Sequence, residues 1–125
     1  MNDLKMIEAD PYGKDPKKPG AKLDAGKIPI WQGAIDYFPR AIMAVAEVSH
    51  AGAQKYAWKG WESVPDGITR YTNAGMRHVF AEAIDGPYDN GPNGTGLLHK
   101  AQAAWNALAA LELYLREQEN VKHDV

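Results

Sequence analysis

Three segments of the sequence carry polar side chains at helical spacing through otherwise apolar stretches. The polar residues are Glu47, His50 and Gln54 in the first segment, His78, Glu82 and Asp85 in the second, and His99, Gln102 and Asn106 in the third. Steps of three and four residues place each set on one face of its helix. Because burying such groups is costly unless they find partners, these faces are expected to meet. The carboxylates among them predict a site for a hard metal ion.

The most specific motif is the pair of carboxylates at Glu82 and Asp85, one helical turn apart. Two carboxylates at this spacing can bind one Mg²⁺ from one side and leave positions for water and phosphate oxygens. Such pairs also occur at solvated helix ends. Glu47 favours the metal-site interpretation, because its neighbours on the same helix face are Met43 and Ala51 rather than residues typical of a solvent face.

The remaining polar candidates have alternative roles. His50, His78 and His99 could form a transition-metal set, but their wide separation carries no ligand-spacing signature. Each is more often a hydrogen-bonded structural histidine, and roles that support the metal ligands are favoured. Gln102 and Asn106 lie in an apolar helix, and buried amides must be hydrogen bonded. Either could bind a purine edge or join the helices, and the structural role is favoured for Gln102. Trp58 could stack on a base, although packing at a turn is the commoner role.

The elements that must position these residues are predicted to be helical. The apolar periodicity indicates a short helix near residues 30–38 and three main helices. The expected main helices are Pro39 to about Tyr56, roughly Ile68 to Ile84, and about Leu97 to Glu117. No strand pattern is convincing. The sequence therefore predicts an all-α fold, a small helical bundle of three main helices.

Apolar faces and one loop complete this picture. The expected apolar faces are Ile42, Val45 and Val48 in the first helix and Met76, Val79 and Phe80 in the second, and the expected core face of the third includes Ala101, Trp105, Leu108 and Leu111. Alanines leave the third helix with almost no polar side in its middle turns, so oligomerisation is expected to complete the bundle, as a dimer or a tetramer.

Residues 86–96 contain four Gly and two Pro, which predicts a loop, either a lid or a substrate loop.

Composition limits the class of protein. The 125 residues predict a flexible arm (1–20), one domain (21–118) and a frayed tail (119–125). The absence of Cys makes the cytoplasm the expected compartment. A formal charge of −2 without a basic stripe argues against nucleic acid as a partner, and no apolar run is long enough for a bilayer. An apolar content of 45% with four Trp excludes a disordered protein.

The order of several short motifs resembles the phage and bacterial dATP/dGTP diphosphohydrolase family. The matching pieces are Lys22, Asp24, Gly26, Lys27 and Pro29; Gly52, Ala53, Lys55 and Tyr56; Trp58 and Gly60; Arg77 and His78; Glu82 and Asp85; Gly96, Leu97 and His99; and Asn106. Each piece is short, but their order is fairly specific and spans about residues 20–115. The family is in turn similar to the all-α nucleoside-triphosphate pyrophosphohydrolases of the MazG kind.

This resemblance implies an oligomeric, Mg²⁺-dependent enzyme (Mn²⁺ is possible) that cleaves a purine (deoxy)nucleoside triphosphate into a monophosphate and pyrophosphate. Glu47, Glu82 and Asp85 match the catalytic carboxylates, and His50 would join them at the metal. The residues expected to bind substrate are Lys27, Lys55, Arg77, His78, His99, Asn106 and Trp58. Positioning and electrostatics would do most of the work in such a phosphoryl transfer.

Two departures from the family pattern leave an alternative open. MazG-like enzymes carry E-E-x-x-E on the first helix, where this chain has only Glu47, with His50 three residues on. The family's second His after G-L-x-H is Gln102 here. Fewer carboxylates neutralise a metal less well. The alternative hypothesis is therefore a protein that binds a nucleotide or nucleotide signal in the same pocket without hydrolysing it.

Overall fold

The computed structural model describes residues 7–123, and the side chains of residues 7–119. The chain divides into two compact units, one up to Pro39 and one from Arg40. The described helices are a π-helical turn (Trp31–Asp36), α1 (Pro39–Lys55), a 3₁₀ turn (Gly60–Ser63), α2 (Gly67–Asp85) and α3 (His99–His123). Extended pairing in the described residues is limited to one isolated bridge between Tyr88 and Leu98. The prediction of an all-α fold with three main helices is confirmed.

The N-terminal unit is organised around the carboxylate of Asp10. This carboxylate accepts hydrogen bonds from the backbone N–H groups of Tyr12, Lys14 and Lys22 at 2.8, 3.2 and 2.9 Å. The bond from Lys22 is the main reason that the pKa of Asp10 is lowered. The N–H of Ala25 also donates to the carbonyl of Ala9. Residues 9–25 are thus folded back on themselves. The flexible arm predicted for residues 1–20 stays a prediction, and its first six residues lie outside the described part.

The main helices begin and end close to their predicted bounds, with one exception. Pro39 opens α1, as expected for a residue whose missing N–H is not needed in the first turn. Helix α3 begins at His99 and continues to His123, past the predicted end at Glu117. Part of the segment predicted as a frayed tail is therefore helical.

Helices α2 and α3 pack against each other in antiparallel fashion along their polar faces. His78 lies against His99 near one end. In the middle, a Cβ at Gly75 would lie 3.2 Å from the Cβ of Asn106, and at the other end a Cβ at Gly67 would lie 2.7 Å from Leu113 Cδ1. The two glycines thus allow the helices to approach closely. On α3 the contacting positions His99, Asn106 and Leu113 recur every seven residues, which is the heptad period of a helix–helix seam.

The predicted apolar face of α2 lies on the outside of the single chain. Phe80 and Ile84 are 65% and 77% exposed, and Met76 and Val79 are about half exposed. The predicted apolar face of α2 is therefore not a core face of the single chain. The physical reason is that the opposite face carries the small residues that permit close packing, and that its polar groups find partners on α3 and the loop before it.

Helix α3 is likewise only partly covered. Its buried apolar residues are Ala101 and Ala109, whereas Leu108 and Leu111 are about half exposed. The sequence predicted that this helix is buried on nearly all sides, with oligomerisation completing its cover. In the single chain the side away from α2 remains open.

An aromatic cluster joins the 3₁₀ turn to the helices. Trp61, Tyr71 and Trp105 contact one another edge to face, with ring centroids 5.5–6.4 Å apart. The hydroxyl of Tyr71 donates to the carbonyl of Trp61 at 2.8 Å. The indole N–H of Trp105 donates to Ser49 Oγ at 2.9 Å, which connects α3 with α1. No helix in residues 7–123 combines the length and apolar character needed to cross a membrane.

Candidate functional site

The polar segment between α2 and α3 is a compact loop folded around Asp89. The backbone N–H of Asp89 donates to the carbonyl of Leu97, and its carbonyl accepts from the N–H of Gly96, both at 2.8 Å. The N–H of His99 donates to the carbonyl of Pro87, also at 2.8 Å. These bonds tie the loop to the first turn of α3. They hold the Asp89 carboxylate beside the α2–α3 seam.

Gly94 is required for this loop to close. A Cβ at Gly94 would lie 2.7 Å from Asp89 Oδ1 and still nearer to the Asp89 carbonyl oxygen. Real Cβ atoms do not approach other atoms this closely. Only a glycine fits here, because the turn brings its backbone directly against Asp89.

Two histidines and this carboxylate meet at the end of the seam. Nδ1 of His78 lies 3.0 Å from Nδ1 of His99. One ligand atom from each of His78, Asp89 and His99 can be chosen so that all three lie within 4.8 Å of one another. His78 and Asp89 are half-buried, whereas His99 is 5% exposed. The three residues come from α2, the loop and the first turn of α3.

The surroundings of His78 favour its uncharged imidazole. Burial lowers the pKa of His78, and the nearby His99 and Arg77 act in the same direction, whereas Asp89 opposes them. A neutral imidazole keeps a lone pair on one ring nitrogen, which can accept a hydrogen bond or bind a metal.

The buried amides of α3 support the cluster and the seam. Gln102 and Asn106 are 5% and 7% exposed. The amide of Gln102 donates to Asp89 Oδ2 at 3.2 Å, and that of Asn106 donates to the carbonyl of Gln102 at 2.8 Å. This bond of Asn106 stays within α3, one turn back, so it is neither of the two roles left open, a bond to a purine edge or a bond between helices. A role for Asn106 in substrate binding stays a prediction.

Helix α2 presents a second polar constellation on its outer side. Arg77 and Asp85 line a shallow groove that is largely open to solvent and is formed by α2 alone. The other lining residues are Asn73, Met76, Phe80, Ala81 and Ile84. Glu82, the partner of Asp85 in the E-x-x-D motif, is half-buried and forms an ion pair with Lys100 on α3. The two carboxylates of the motif therefore have different surroundings.

The structure does not gather the predicted metal ligands within one chain. Glu47 and His50 are both exposed on α1. Among the described residues, the group of three or more His, Asp or Glu side chains close enough to share an ion is His78, Asp89 and His99. Glu47, His50, Glu82 and Asp85 do not form such a group, so their joint role stays a prediction.

The other predicted substrate-binding residues are dispersed. Lys55 ends α1 with its ammonium 5.4 Å from the ring centroid of Tyr56, and Trp58 is 69% exposed in the following turn. Lys27 belongs to the N-terminal unit, where it lies 3.8 Å from Glu8. Each is accessible to a ligand, and none is brought to the α2–α3 seam by a described contact.

Sequence reasoning missed Asp89. It was visible as one of several hydrogen-bonding residues in a Gly-rich loop, but no helical spacing relates it to His78 or His99. The motif G-L-x-H at Gly96–His99 directly follows the loop, so the loop must end at the start of α3. This could have indicated that Asp89 lies near His99. The decisive information is the tertiary hydrogen bonding of the loop.

Comparisons with known proteins identify one family. The sequence model described as dATP/dGTP diphosphohydrolase, N-terminal, matches residues 17–123. No curated protein and no solved structure matches the chain. The matched range includes all three main helices and the loop with Asp89.

Proposed function

This chain belongs to the dATP/dGTP diphosphohydrolase N-terminal family, and we propose that it is a Mg²⁺-dependent diphosphohydrolase. It would cleave a purine (deoxy)nucleoside triphosphate into the monophosphate and pyrophosphate. The observation that carries the proposal is the shallow, open surface of α2 that Arg77 and Asp85 share with Phe80, whose side chain is exposed. A cation for phosphate, a carboxylate for a metal and an exposed aromatic ring are the groups that a nucleotide site needs.

The donor chemistry of the E-x-x-D motif fits Mg²⁺, which takes oxygen ligands and is commonly held by one or two carboxylates together with substrate phosphates. Asp85 is exposed, and Glu82 would exchange its partner Lys100 for the ion. Glu47 would complete the set from α1. When bound, Mg²⁺ neutralises charge on the triphosphate and lowers the pKa of a bound water.

The side chains of the protein would bind and orient the substrate. Arg77 holds the phosphate tail with its guanidinium, which matches phosphate geometry. Water attacks the α phosphorus in line, the bond to the β phosphate breaks, and pyrophosphate leaves. Glu47 or a neighbouring carboxylate accepts the proton from the attacking water. Positioning and charge complementarity thus supply most of the rate enhancement.

Pyrophosphate release from a panel of dNTPs and NTPs, with and without Mg²⁺, tests this proposal. We expect a monophosphate and pyrophosphate in a 1:1 ratio from a purine nucleotide, only when the metal is present. Release of inorganic phosphate instead would contradict cleavage between the α and β phosphates. No turnover, combined with a rise in Tm on adding nucleotide, would favour the alternative of a nucleotide-binding protein, since a ligand that binds only the folded state stabilises it.

We also propose that the chain forms a homo-oligomer through the outer face of α2. Met76, Val79, Phe80 and Ile84 expose a continuous apolar strip on this helix, and strips of this kind mark interaction sites. We infer that the occupant is a second copy of the chain, since α3 carries a further open apolar side at Leu108 and Leu111 that also lacks a partner in the single chain. Because Met76, Phe80 and Ile84 also line the groove, the second copy would lie at the border of the nucleotide site.

The variant Val79→Glu tests this interface without altering a residue that lines the groove. A buried charge in an apolar interface is costly, and we expect the dissociation constant to rise by on the order of tenfold or more. Sedimentation velocity over a range of concentrations measures it. Tyr12→Glu, at a 90% exposed position in the N-terminal unit, is the control. A monomeric wild type at high concentration, or an unchanged dissociation constant in Val79→Glu, would contradict the interface.

A further inference from the structure

We propose that His78, Asp89 and His99 bind a divalent transition-metal ion of borderline softness, of which Zn²⁺ is the representative. This ion goes beyond the proposed function, because its ligands differ from the carboxylates assigned to Mg²⁺. It would connect α2, the loop and the start of α3 at one point. The site is composed of residues that the sequence placed apart and that only the fold brings together.

The distances among the three side chains suit a shared ion. Ligand nitrogens lie about 2.0–2.1 Å from Zn²⁺, so two of them at angles between a right angle and the tetrahedral angle are separated by about 2.8–3.4 Å. The observed separation of His78 Nδ1 and His99 Nδ1 is 3.0 Å. Ligand atoms from all three residues lie within 4.8 Å of one another. Small movements of side chains, without a change in the backbone, would bring the set to ligand distances.

The chemistry of the set selects the class of ion. Two imidazoles with one carboxylate are a ligand set used for Zn²⁺ and for Fe²⁺, whereas Mg²⁺ and Ca²⁺ prefer oxygen donors alone. The carboxylate of Asp89 disfavours a phosphate group at this point. Three protein ligands leave at least one coordination position for water or another ligand.

The residues around the set restrain the ligands as metal sites require. Asp89 accepts a hydrogen bond from the amide of Gln102, which is itself buried. Its backbone is held by the bonds to Leu97 and Gly96. His99 is fixed at the first turn of α3 by its N–H bond to Pro87. Outer partners of this kind orient ligands and commonly affect metal affinity 10–100-fold.

The competing interpretation is a hydrogen bond between the two imidazoles, with one Nδ1 protonated and the other accepting. The two interpretations differ in the part played by the carboxylate. A metal requires Asp89 as a ligand, whereas the hydrogen bond between the rings does not. Replacing Asp89 by Asn keeps the shape of the side chain and all the backbone bonds of the loop, so it separates them.

The test is titration of the chelator-treated full chain with Zn²⁺ alone, in the absence of nucleotide, followed by calorimetry and by Tm. We expect one ion per chain, a rise in Tm, and binding that persists in excess Mg²⁺. The variants Asp89→Asn and His78→Asn should bind at least about tenfold more weakly. Asp36→Asn, an exposed carboxylate in the N-terminal unit, is the matched control and should bind as the wild type does.

Co²⁺ provides a second, spectroscopic measurement. Its visible absorption bands should show nitrogen and oxygen ligands in the wild type and in Asp36→Asn, and should weaken in Asp89→Asn, while circular dichroism shows that each variant is folded. Absence of Zn²⁺ binding to the wild type, or equal affinity in Asp89→Asn, would overturn the proposal. Because no turnover is measured, that failure would leave the proposed hydrolysis unaffected.

Discussion

Replacing Asp85 by Asn is expected to lower Mg²⁺-dependent pyrophosphate release by on the order of 10²-fold or more, while the protein stays folded. The carboxylate is exposed and lines the groove beside Arg77, and the described residues give it no ion pair. Removing its charge therefore takes away stabilisation of the metal and the triphosphate without removing a contact on which the fold depends. Exposed substitutions of this kind change the free energy of unfolding by roughly ±0.5 kcal/mol.

The measurement is kcat/KM for the preferred nucleotide, together with urea denaturation of each variant. Glu82→Gln should lose activity similarly, although it also loses its ion pair with Lys100, which for a largely exposed pair contributes about 0–1 kcal/mol. Asp36→Asn is the control for Asp85→Asn, and Glu117→Gln on α3 is the control for Glu82→Gln. Undiminished turnover in Asp85→Asn would reject the assignment of the E-x-x-D motif to catalysis.

Replacing Gly94 by Ala is expected to destabilise the protein by about 1–3 kcal/mol, the range found for overpacking. The new methyl group would lie 2.7 Å from Asp89 Oδ1 and 2.9 Å from the carbonyl of Gly91, and would come closest to the carbonyl of Asp89. Backbone atoms cannot yield as the end of a flexible side chain can, so the turn must open. The bonds from Asp89 to Leu97 and from Gly96 to Asp89 would then weaken.

Gly91→Ala is the matched control three residues earlier in the same loop. A Cβ there meets nothing within 4 Å, and the backbone φ is not positive, so the substitution should be neutral or slightly stabilising. Urea denaturation gives the free energy of unfolding, and hydrogen exchange at the amides of Asp89 and Gly96 shows whether the loop has opened. Equal stability of the two variants would show that the loop does not close against Asp89 as described.

Much of the fold could be predicted from the sequence because the signals are local. Pro39 marked the start of α1, and the turn at Asp66–Gly67 preceded α2. Helical spacing placed His99, Gln102 and Asn106 on one face, and all three are buried in the seam. The prediction that polar faces meet is confirmed for α2 and α3. It did not extend to α1, where Glu47 and His50 are exposed in the single chain.

The candidate site was harder to predict because its members are related only through packing. Apolar periodicity identified Met76, Val79 and Phe80 as one apolar face of α2, and in the single chain this face lies outside. Periodicity identifies an apolar face but not its partner, which can be another helix of the same chain or a second copy. Gly67 and Gly75 were the sequence signal that the opposite face of α2 packs against α3, because glycines permit two helices to approach closely.

By itself, the sequence determined the helices, the polar seam and the family, because capping residues, periodicity and the order of motifs are properties of neighbouring residues. The tertiary structure alone decided that Asp89 joins His78 and His99. That contact depends on backbone hydrogen bonds between the two ends of the loop. The loop can close only because Gly94 has no side chain. Sequence spacing cannot predict such a contact, because the three residues come from α2, the loop and α3 and are not related by a helical or strand repeat.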